Sequence, residues 1–169
     1  MGEPDLKQLS PEVRAGLAHH RAGRLLEAAQ EYQRALCEDG PDADALLLLG
    51  MLARIKGNHE ASVRLTVEAV RLRPLSASFH LSLGQAHLAN GNGKAAISAC
   101  RRALALDPGL AAAWCCLGEA EAAHGESEQA QQSLKTAATL DGKSARPDRL
   151  LGHLLARLGK LDEAAAAYR

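Results

Sequence analysis

Histidine and cysteine are the residue types in this chain that are best suited to metal binding. His80 and His87 are seven residues apart, two turns along one predicted helix, and Cys100 lies on the next helix. A metal site formed by these three is conceivable, but ordinary groove and core positions also explain them. His19 and His20 are adjacent, so they point to different helical faces and cannot supply two ligands on one face. We predict no metal site.

The other candidates for chemistry have simpler explanations. Cys115 and Cys116 are neighbours on a predicted helix, so we expect one thiol to face a groove and the other the core, both for packing. The run NGNGK, residues 90–94, is rich in glycine but is placed as a turn between helices rather than as a phosphate-binding loop. The sequence contains no serine–histidine–aspartate arrangement and no HExxH, P-loop or GxGxxG pattern. We therefore predict no catalytic residue and no cofactor.

Composition and charge narrow the function classes. Lys plus Arg and Asp plus Glu number 20 each, and this balance argues against nucleic-acid binding and against attachment to a membrane surface. Apolar residues make up 47% and aromatic residues only 2%, which favours closely packed helices with small aliphatic side chains. We find no run long enough to span a membrane, no secretory leader pattern and no disulfide spacing among the four cysteines. We expect a soluble, cytoplasmic protein with reduced thiols.

Glycines recur through the chain at a constant step of 34 residues. One series lies inside predicted helices: Gly16, Gly50, Gly84, Gly118 and Gly152. A second series follows it by seven residues: Gly23, Gly57, Gly91, Gly125 and Gly159. Small residues repeat at the same step: Ala35, Ala69, Ala103 and Ala137. A period of this length indicates an array of similar helical pairs.

Each unit divides into two helical stretches at its second glycine. In the second unit, an apolar stretch at residues 42–56 is followed by a turn at 57–59 and a second stretch at 60–73. Gly57 can adopt the left-handed conformation that ends a helix. Gly50 lies inside a helix, where glycine costs about 1 kcal/mol relative to alanine. We infer that the partner helix crosses there and that the missing Cβ lets two backbones approach.

These features resemble the tetratricopeptide repeat. The most complete unit matches that repeat at Trp114, Leu117, Gly118, Gly125, Ala130 and Ala137. The aromatic residue is replaced in the other units by Glu12, Leu46, His80 and Asp148. After a lead-in at 1–8, we place the units at 9–42, 43–76, 77–110, 111–144 and, incomplete, 145–169. The resemblance implies an all-α fold, a right-handed α-solenoid of antiparallel helix pairs.

The resemblance also implies a concave groove, lined by the first helix of each unit, that binds a protein or peptide. The residues at the corresponding places are Val13, Leu17, His20, Arg21, Leu47, Met51, Arg54, Leu81, Gln85, Leu88, Cys115, Glu119, Ala122, Arg149, His153 and Arg157. The carboxylate clamp of chaperone-tail binders and the asparagine ladder of animal nucleocytoplasmic glycosyltransferases are both absent. We expect an amphipathic or extended segment with an acidic portion, bound by an apolar centre and by positive charge toward unit five. Alternatively, Arg149 and Arg157 do not bind a partner and only form the water-exposed face of a terminal helix.

The fifth unit stops before its second helix is complete. We expect either that this chain is part of a longer protein or that Leu161, Ala164, Ala165 and Tyr168 are covered by self-association. Bacterial proteins with similar repeats often place them ahead of a glycosyltransferase of the protein O-GlcNAc transferase type or a sulfotransferase. The alternative function is therefore presentation of protein substrates to such an enzyme. Reading of RNA by helical pairs is disfavoured by the period, the zero net charge and the lack of a recurring polar code.

Overall fold

Ten α-helices make up the regular structure of the residues described here. The structure is a computed structural model that describes residues 9–38 and 40–168, so the predicted lead-in at 1–8 lies outside the described residues. The helices are α1 (Pro11–Arg21), α2 (Leu25–Glu38), α3 (Ala43–Ile55), α4 (His59–Leu72), α5 (Ala77–Ala89), α6 (Gly93–Leu106), α7 (Ala111–His124), α8 (Ser127–Leu140), α9 (Ala145–Arg157) and α10 (Leu161–Ala167). Each odd-numbered helix and its successor form one predicted pair, which confirms the all-α solenoid of helix pairs.

The ends of the helices follow the residues that the sequence provides there. The Ser10 hydroxyl accepts a hydrogen bond from a backbone amide of α1, and Pro11 is the first helical residue, as predicted. Asn58 caps α4 in the same way, so His59 belongs to the helix and not to the predicted turn. Gly57 has a φ of 78°, the left-handed conformation that ends α3, and the other glycines of its series share this conformation.

The first helices lie closer together than the second helices. Every helix packs against the next one along the chain, and short turns make the members of a pair antiparallel. In addition, α3 contacts α5, α5 contacts α7 and α7 contacts α9, whereas no comparable contacts join the second helices of neighbouring units within the described ranges. The first helices therefore line the inner, concave side of the array.

The glycines of the first series leave room for a side chain of the partner helix. A Cβ at Gly50 would lie 2.7 Å from Oγ1 of Thr66 and 3.3 Å from the carbonyl oxygen of Ser62. The predicted close crossing is confirmed, with one correction: the atoms met first belong to a side chain, and the partner backbone lies behind it. The same relation holds in every unit: Gly16 with Tyr32, Gly50 with Thr66, Gly84 with Cys100, Gly118 with Leu134, and Gly152 with Tyr168.

The core consists of clusters that join successive units. One cluster joins α1, α2 and α3 around Tyr32. A second joins α5, α6 and α7 around Cys100 and Cys116. A third joins α7, α8, α9 and α10 around Leu134. Since each cluster spans two units, each unit depends on its neighbour for burial of its apolar face, as expected for a repeat array.

The turns that lead into the third and the fourth unit are each held by an equivalent hydrogen bond. Trp114 donates its indole Nε1–H to the carbonyl oxygen of Pro108, at 2.9 Å. His80, at the same repeat position, places Nε2 at 2.9 Å from the carbonyl oxygen of Pro74. Because a carbonyl oxygen only accepts, Nε2 of His80 carries the proton. His80 therefore takes the role of the tryptophan, which the sequence analysis did not anticipate.

Candidate binding groove

The first helices present most of the predicted groove residues on the concave side. Those with exposed or half-buried side chains are Leu17, His20, Arg21, Leu47, Met51, Arg54, Gln85, Leu88, Glu119, Ala122, Arg149, His153 and Arg157. Apolar side chains dominate on α3 and at the end of α5, and charged side chains dominate on α9. That these residues contact a partner stays a prediction.

Three predicted groove residues need correction because they lie in the core. Val13, Leu81 and Cys115 are 0%, 4% and 3% exposed, respectively. They occupy the same place in their units, where the side chain packs into the cluster at the next helix pair instead of reaching the groove surface. Leu47 occupies that place in the second unit, where it is half-buried and packs in part against the cluster of Ala43, Ala69 and Phe79. Arg149 occupies it in the fifth unit, and it is exposed because no further first helix among the described residues packs against α9.

The surroundings of the two adjacent cysteines agree only in part with the prediction that one thiol faces the groove and the other the core. Cys115 and Cys116 are both buried, so the expectation that one thiol faces the groove is wrong. They do lie on different sides of α7, because Cys115 belongs to the cluster with α8 and α9, and Cys116 to the cluster with Cys100. Burial raises the pKa of Cys115 to about 11. A hydrogen bond with Cys116, together with burial, raises the pKa of Cys100. Cys115 and Cys100 are thus held as thiols and are poorly suited to nucleophilic chemistry.

His80, His87 and Cys100 lie where packing and backbone contacts explain their presence. Nε2 of His80 is engaged by the carbonyl of Pro74, and the Cys100 thiol packs beneath Gly84. Burial lowers the pKa of His87. Across residues 9–38 and 40–168, no three His, Cys, Asp or Glu side chains are grouped so that they could hold a metal ion. In the same ranges, no helix has the length and apolar character needed to cross a membrane.

Positive charge is concentrated where the groove reaches α9. Arg149, His153 and Arg157 are exposed at intervals of four residues, which places them on one face of the helix. Arg146, near that face, donates a 2.7 Å hydrogen bond to Oε2 of Glu119 on α7 and neutralises that carboxylate. None of the carboxylates in the described ranges forms a salt bridge with Arg149 or Arg157. Arg146 was not among the predicted groove residues, although its spacing of three and seven residues from Arg149 and His153 is a helical spacing that could have identified it.

A small apolar pocket opens onto the groove between α7 and α9. Its volume is about 170 Å³. The residues that line it are Gly118, Glu119, Ala122, Ala123, Leu134, Leu150, His153, Leu154 and Arg157. Leucine side chains form its floor, and charged or polar side chains stand at its mouth. This pocket, named the α7–α9 pocket below, combines an apolar interior with one arginine, Arg157, at its rim.

A family model described as tetratricopeptide repeat matches residues 13–67, 47–111 and 117–169. A second model with the same description matches residues 99–132. No curated protein matches the chain. The family models therefore cover nearly all of the array, including the α9 end of the groove.

Solved tetratricopeptide repeat (TPR) proteins are similar in structure. MamA is 25% identical with a TM-score of 0.76, over 90% of each chain. TTC0263, a thermophilic TPR protein of Thermus thermophilus, is 26% identical with a TM-score of 0.80, over 93% of this chain and 86% of its own. YrrB, described as a TPR protein with an unusual peptide-binding site, is 18% identical with a TM-score of 0.73, over 96% of this chain and 84% of its own, so this likeness shows the fold alone.

None of these matches supports an origin in a glycosyltransferase or a sulfotransferase. The family models account for more than half of the chain, and the similar solved structures have the same all-α architecture. The chain belongs to the tetratricopeptide repeat family.

Proposed function

We propose that this protein is a non-catalytic interaction scaffold that binds an extended or amphipathic protein segment in its concave groove. The observation that carries the proposal is the gradient along the groove, from apolar side chains such as Leu47 and Met51 to Arg149 and Arg157, which form no salt bridge with another described residue. An apolar surface with a few placed charges is typical of sites that bind peptide segments. Family membership supports the same role, since protein interaction is the general work of these repeats.

The same groove could present protein substrates to an active site elsewhere in a larger enzyme, a glycosyltransferase or a sulfotransferase. No contact or charge in the described residues favours that alternative over the scaffold. The free state of all four cysteines supports a cytoplasmic location, where thiols are kept reduced. The zero net charge supports a protein partner rather than a nucleic acid.

The double variant Leu47→Glu with Met51→Glu tests the groove. We expect it to bind peptides selected by the native protein at least about ten-fold more weakly, because two apolar contacts are replaced by charges near the centre of the site. Binding is measured by fluorescence anisotropy with peptides chosen from a random library displayed on phage. Circular dichroism checks that the variant is still folded; the unfolding midpoint should fall, because the half-buried Leu47 also packs against the cluster of Ala43, Ala69 and Phe79.

The double variant Leu72→Glu with Leu75→Glu is the matched control, because both leucines are exposed and lie outside the groove. It should bind like the native protein. Leu81→Glu is unsuitable as a groove variant, since it would place a charge in the core. Unchanged binding by the Leu47 and Met51 variant would contradict the proposal.

We further propose that the outer face of the fifth unit is covered by a second copy of this chain. Tyr168 is 50% exposed, whereas Tyr32, at the same repeat position, is fully buried beside α3 of the next unit. Leu161 is 68% exposed. Ala164, which we expected on this face, is buried against α9 instead. Within the described residues, this face is therefore exposed, whereas the corresponding surface of the first unit is covered by the next unit.

Leu161→Glu is expected to convert a self-associated native protein to single chains, because it adds a charge to this face. Light scattering over a concentration series measures the mass. Glu163→Gln, on the same helix but without an apolar change, should leave the mass as in the native protein. A native protein that has the mass of one chain at every concentration would contradict self-association.

A further inference from the structure

We infer that the α7–α9 pocket holds one aliphatic side chain of the bound segment and that the surrounding arginines bind carboxylates next to it. This inference rests on the proposed function and deepens it by naming the chemistry of the segment. The expected motif is a leucine, isoleucine, valine or methionine with aspartate or glutamate within about three residues.

The floor of the pocket is apolar and fixed in place. Leu134 and Leu154 are 1% and 4% exposed, so their positions are set by core packing. Gly118 has no side chain, and the pocket therefore reaches down to Leu134. Leucine side chains have no hydrogen-bond donor or acceptor. A polar group placed against them would therefore lose its hydrogen bonds to water without replacement. An aliphatic side chain has no hydrogen bonds to water that it could lose there.

The size of the pocket suits one side chain and not a whole small molecule. Its volume is about 170 Å³. Pockets that bury drug-sized ligands have volumes of about 300–1,000 Å³. The pocket also opens directly onto the groove, between Glu119 and His153, where a bound segment would pass. A single anchoring residue of that segment is therefore the occupant that fits.

The mouth of the pocket favours negative charge. Glu119 is already engaged by Arg146 at 2.7 Å, so it does not balance the remaining cations. The ring of His153 is held edge-on against Tyr168, with 5.6 Å between ring centroids. Arg157 lines the pocket and Arg149 lies two turns earlier on the same face of α9. Arginine binds carboxylates through charge-assisted hydrogen bonds, so acidic residues beside the anchor complete the site.

The spacing of the two arginines fixes how near the acidic residues must be. Arg149 and Arg157 are eight residues apart on α9, which corresponds to about 12 Å along the helix axis. An extended segment covers that distance with about four residues at about 3.3 Å each. An anchor in the pocket, which Arg157 lines and Arg149 does not, therefore brings carboxylates two or three residues away within reach of a guanidinium. More distant acidic residues would contribute only screened, long-range attraction.

Selection from a random phage-displayed peptide library on the native protein tests the inference. We expect the enriched peptides to share the aliphatic–acidic motif. A fluorescent copy of an enriched peptide should bind at least about ten-fold more weakly to Ala123→Phe, which blocks the pocket mouth, and to Arg157→Glu, which reverses its charge. Ala105→Phe and Arg102→Glu are the matched controls, since both residues are exposed on α6. These two variants should bind like the native protein.

The outcomes separate this inference from the proposed function. If no peptide is enriched, both are overturned. If peptides are enriched and lose binding with Leu47→Glu and Met51→Glu but not with Ala123→Phe or Arg157→Glu, the groove stands and the pocket inference is overturned. Enriched peptides that lack the motif also overturn it. Binding that is lost in both pocket variants, is retained in both controls and weakens as salt is raised supports it.

Discussion

Gly118→Val is expected to lower the free energy of unfolding by about 3 kcal/mol, at the upper end of the range for overpacked cores. A Cβ at this position would lie 2.7 Å from Cγ of Leu134 and 3.2 Å from the carbonyl oxygen of Ala130. Leu134 is 1% exposed, and apart from the α7–α9 pocket it is enclosed by core packing. Valine adds two methyl groups beyond the Cβ, so either the leucine or the helix must move. Urea unfolding followed by circular dichroism measures the loss.

Gly93→Ala is the control for this prediction. Gly93 is the first residue of α6, and the nearest atoms to an added Cβ there are at 3.6 Å, which is ordinary contact. It should therefore leave the free energy of unfolding unchanged or raise it slightly. Combining Gly118→Val with Leu134→Ala should cost less than the sum of the two single changes, because the alanine makes room for the valine. Equal stability of Gly118→Val and Gly93→Ala would contradict the close crossing.

The sequence predicted the array because the features that define it are local or strictly periodic. Gly57 ends a helix through its own backbone conformation, and Ser10 caps one through a bond within four residues. The 34-residue step then carries each local assignment to all units. Gly118 could be assigned to a crossing because a glycine in a helix is costly unless packing compensates for it.

The groove was less predictable, because its surface depends on the neighbouring unit. Helical spacing shows which face of a first helix is apolar, but not whether that face meets the next unit or solvent. Val13, Leu81 and Cys115 were assigned to the groove by position, and all three pack into clusters with the following helix pair. Leu47 shares their repeat position and is half-buried, and Arg149 shares it and is exposed, so one position has three environments along the same array.

Polar contacts between residues far apart in the sequence could not be predicted, for a similar reason. Arg146 pairs with Glu119 across 27 residues, and this needs the register between two units. His80 replaces a tryptophan through one ring nitrogen, a substitution that residue type alone does not suggest. In both cases the contact depends on where a carbonyl or carboxylate lies in space, and the repeat pattern does not encode that position.

Arg73→Met is expected to lower the free energy of unfolding by about 2 kcal/mol, less than for a fully buried ion pair, because the Arg73 side chain is 51% exposed and only Asp44 is buried. Arg73 comes from the end of α4 and binds both carboxylate oxygens of Asp44 on α3, at 2.6 and 3.1 Å. Its guanidinium also lies 5.5 Å from the ring centroid of Phe79 on α5. Asp44 is 7% exposed, so the variant leaves its charge without a partner and nearly without water.

The pH dependence of the stability lost in Arg73→Met shows whether the buried carboxylate of Asp44 causes the loss. Burial raises the pKa of Asp44 above 3.8 and the attraction of Arg73 opposes the rise, so Arg73→Met should raise the pKa further. A carboxyl whose pKa is higher in the folded state binds more protons there, so its penalty is present at neutral pH and disappears below the pKa of the unfolded state. The deficit of Arg73→Met should therefore shrink as the pH falls from about 7 to about 4. Adding Asp44→Asn, which carries no charge, should recover stability at neutral pH for the same reason. A deficit that is equal at both pH values, and unaffected by Asp44→Asn, would place the cost in the lost contact with Phe79 instead of the buried carboxylate.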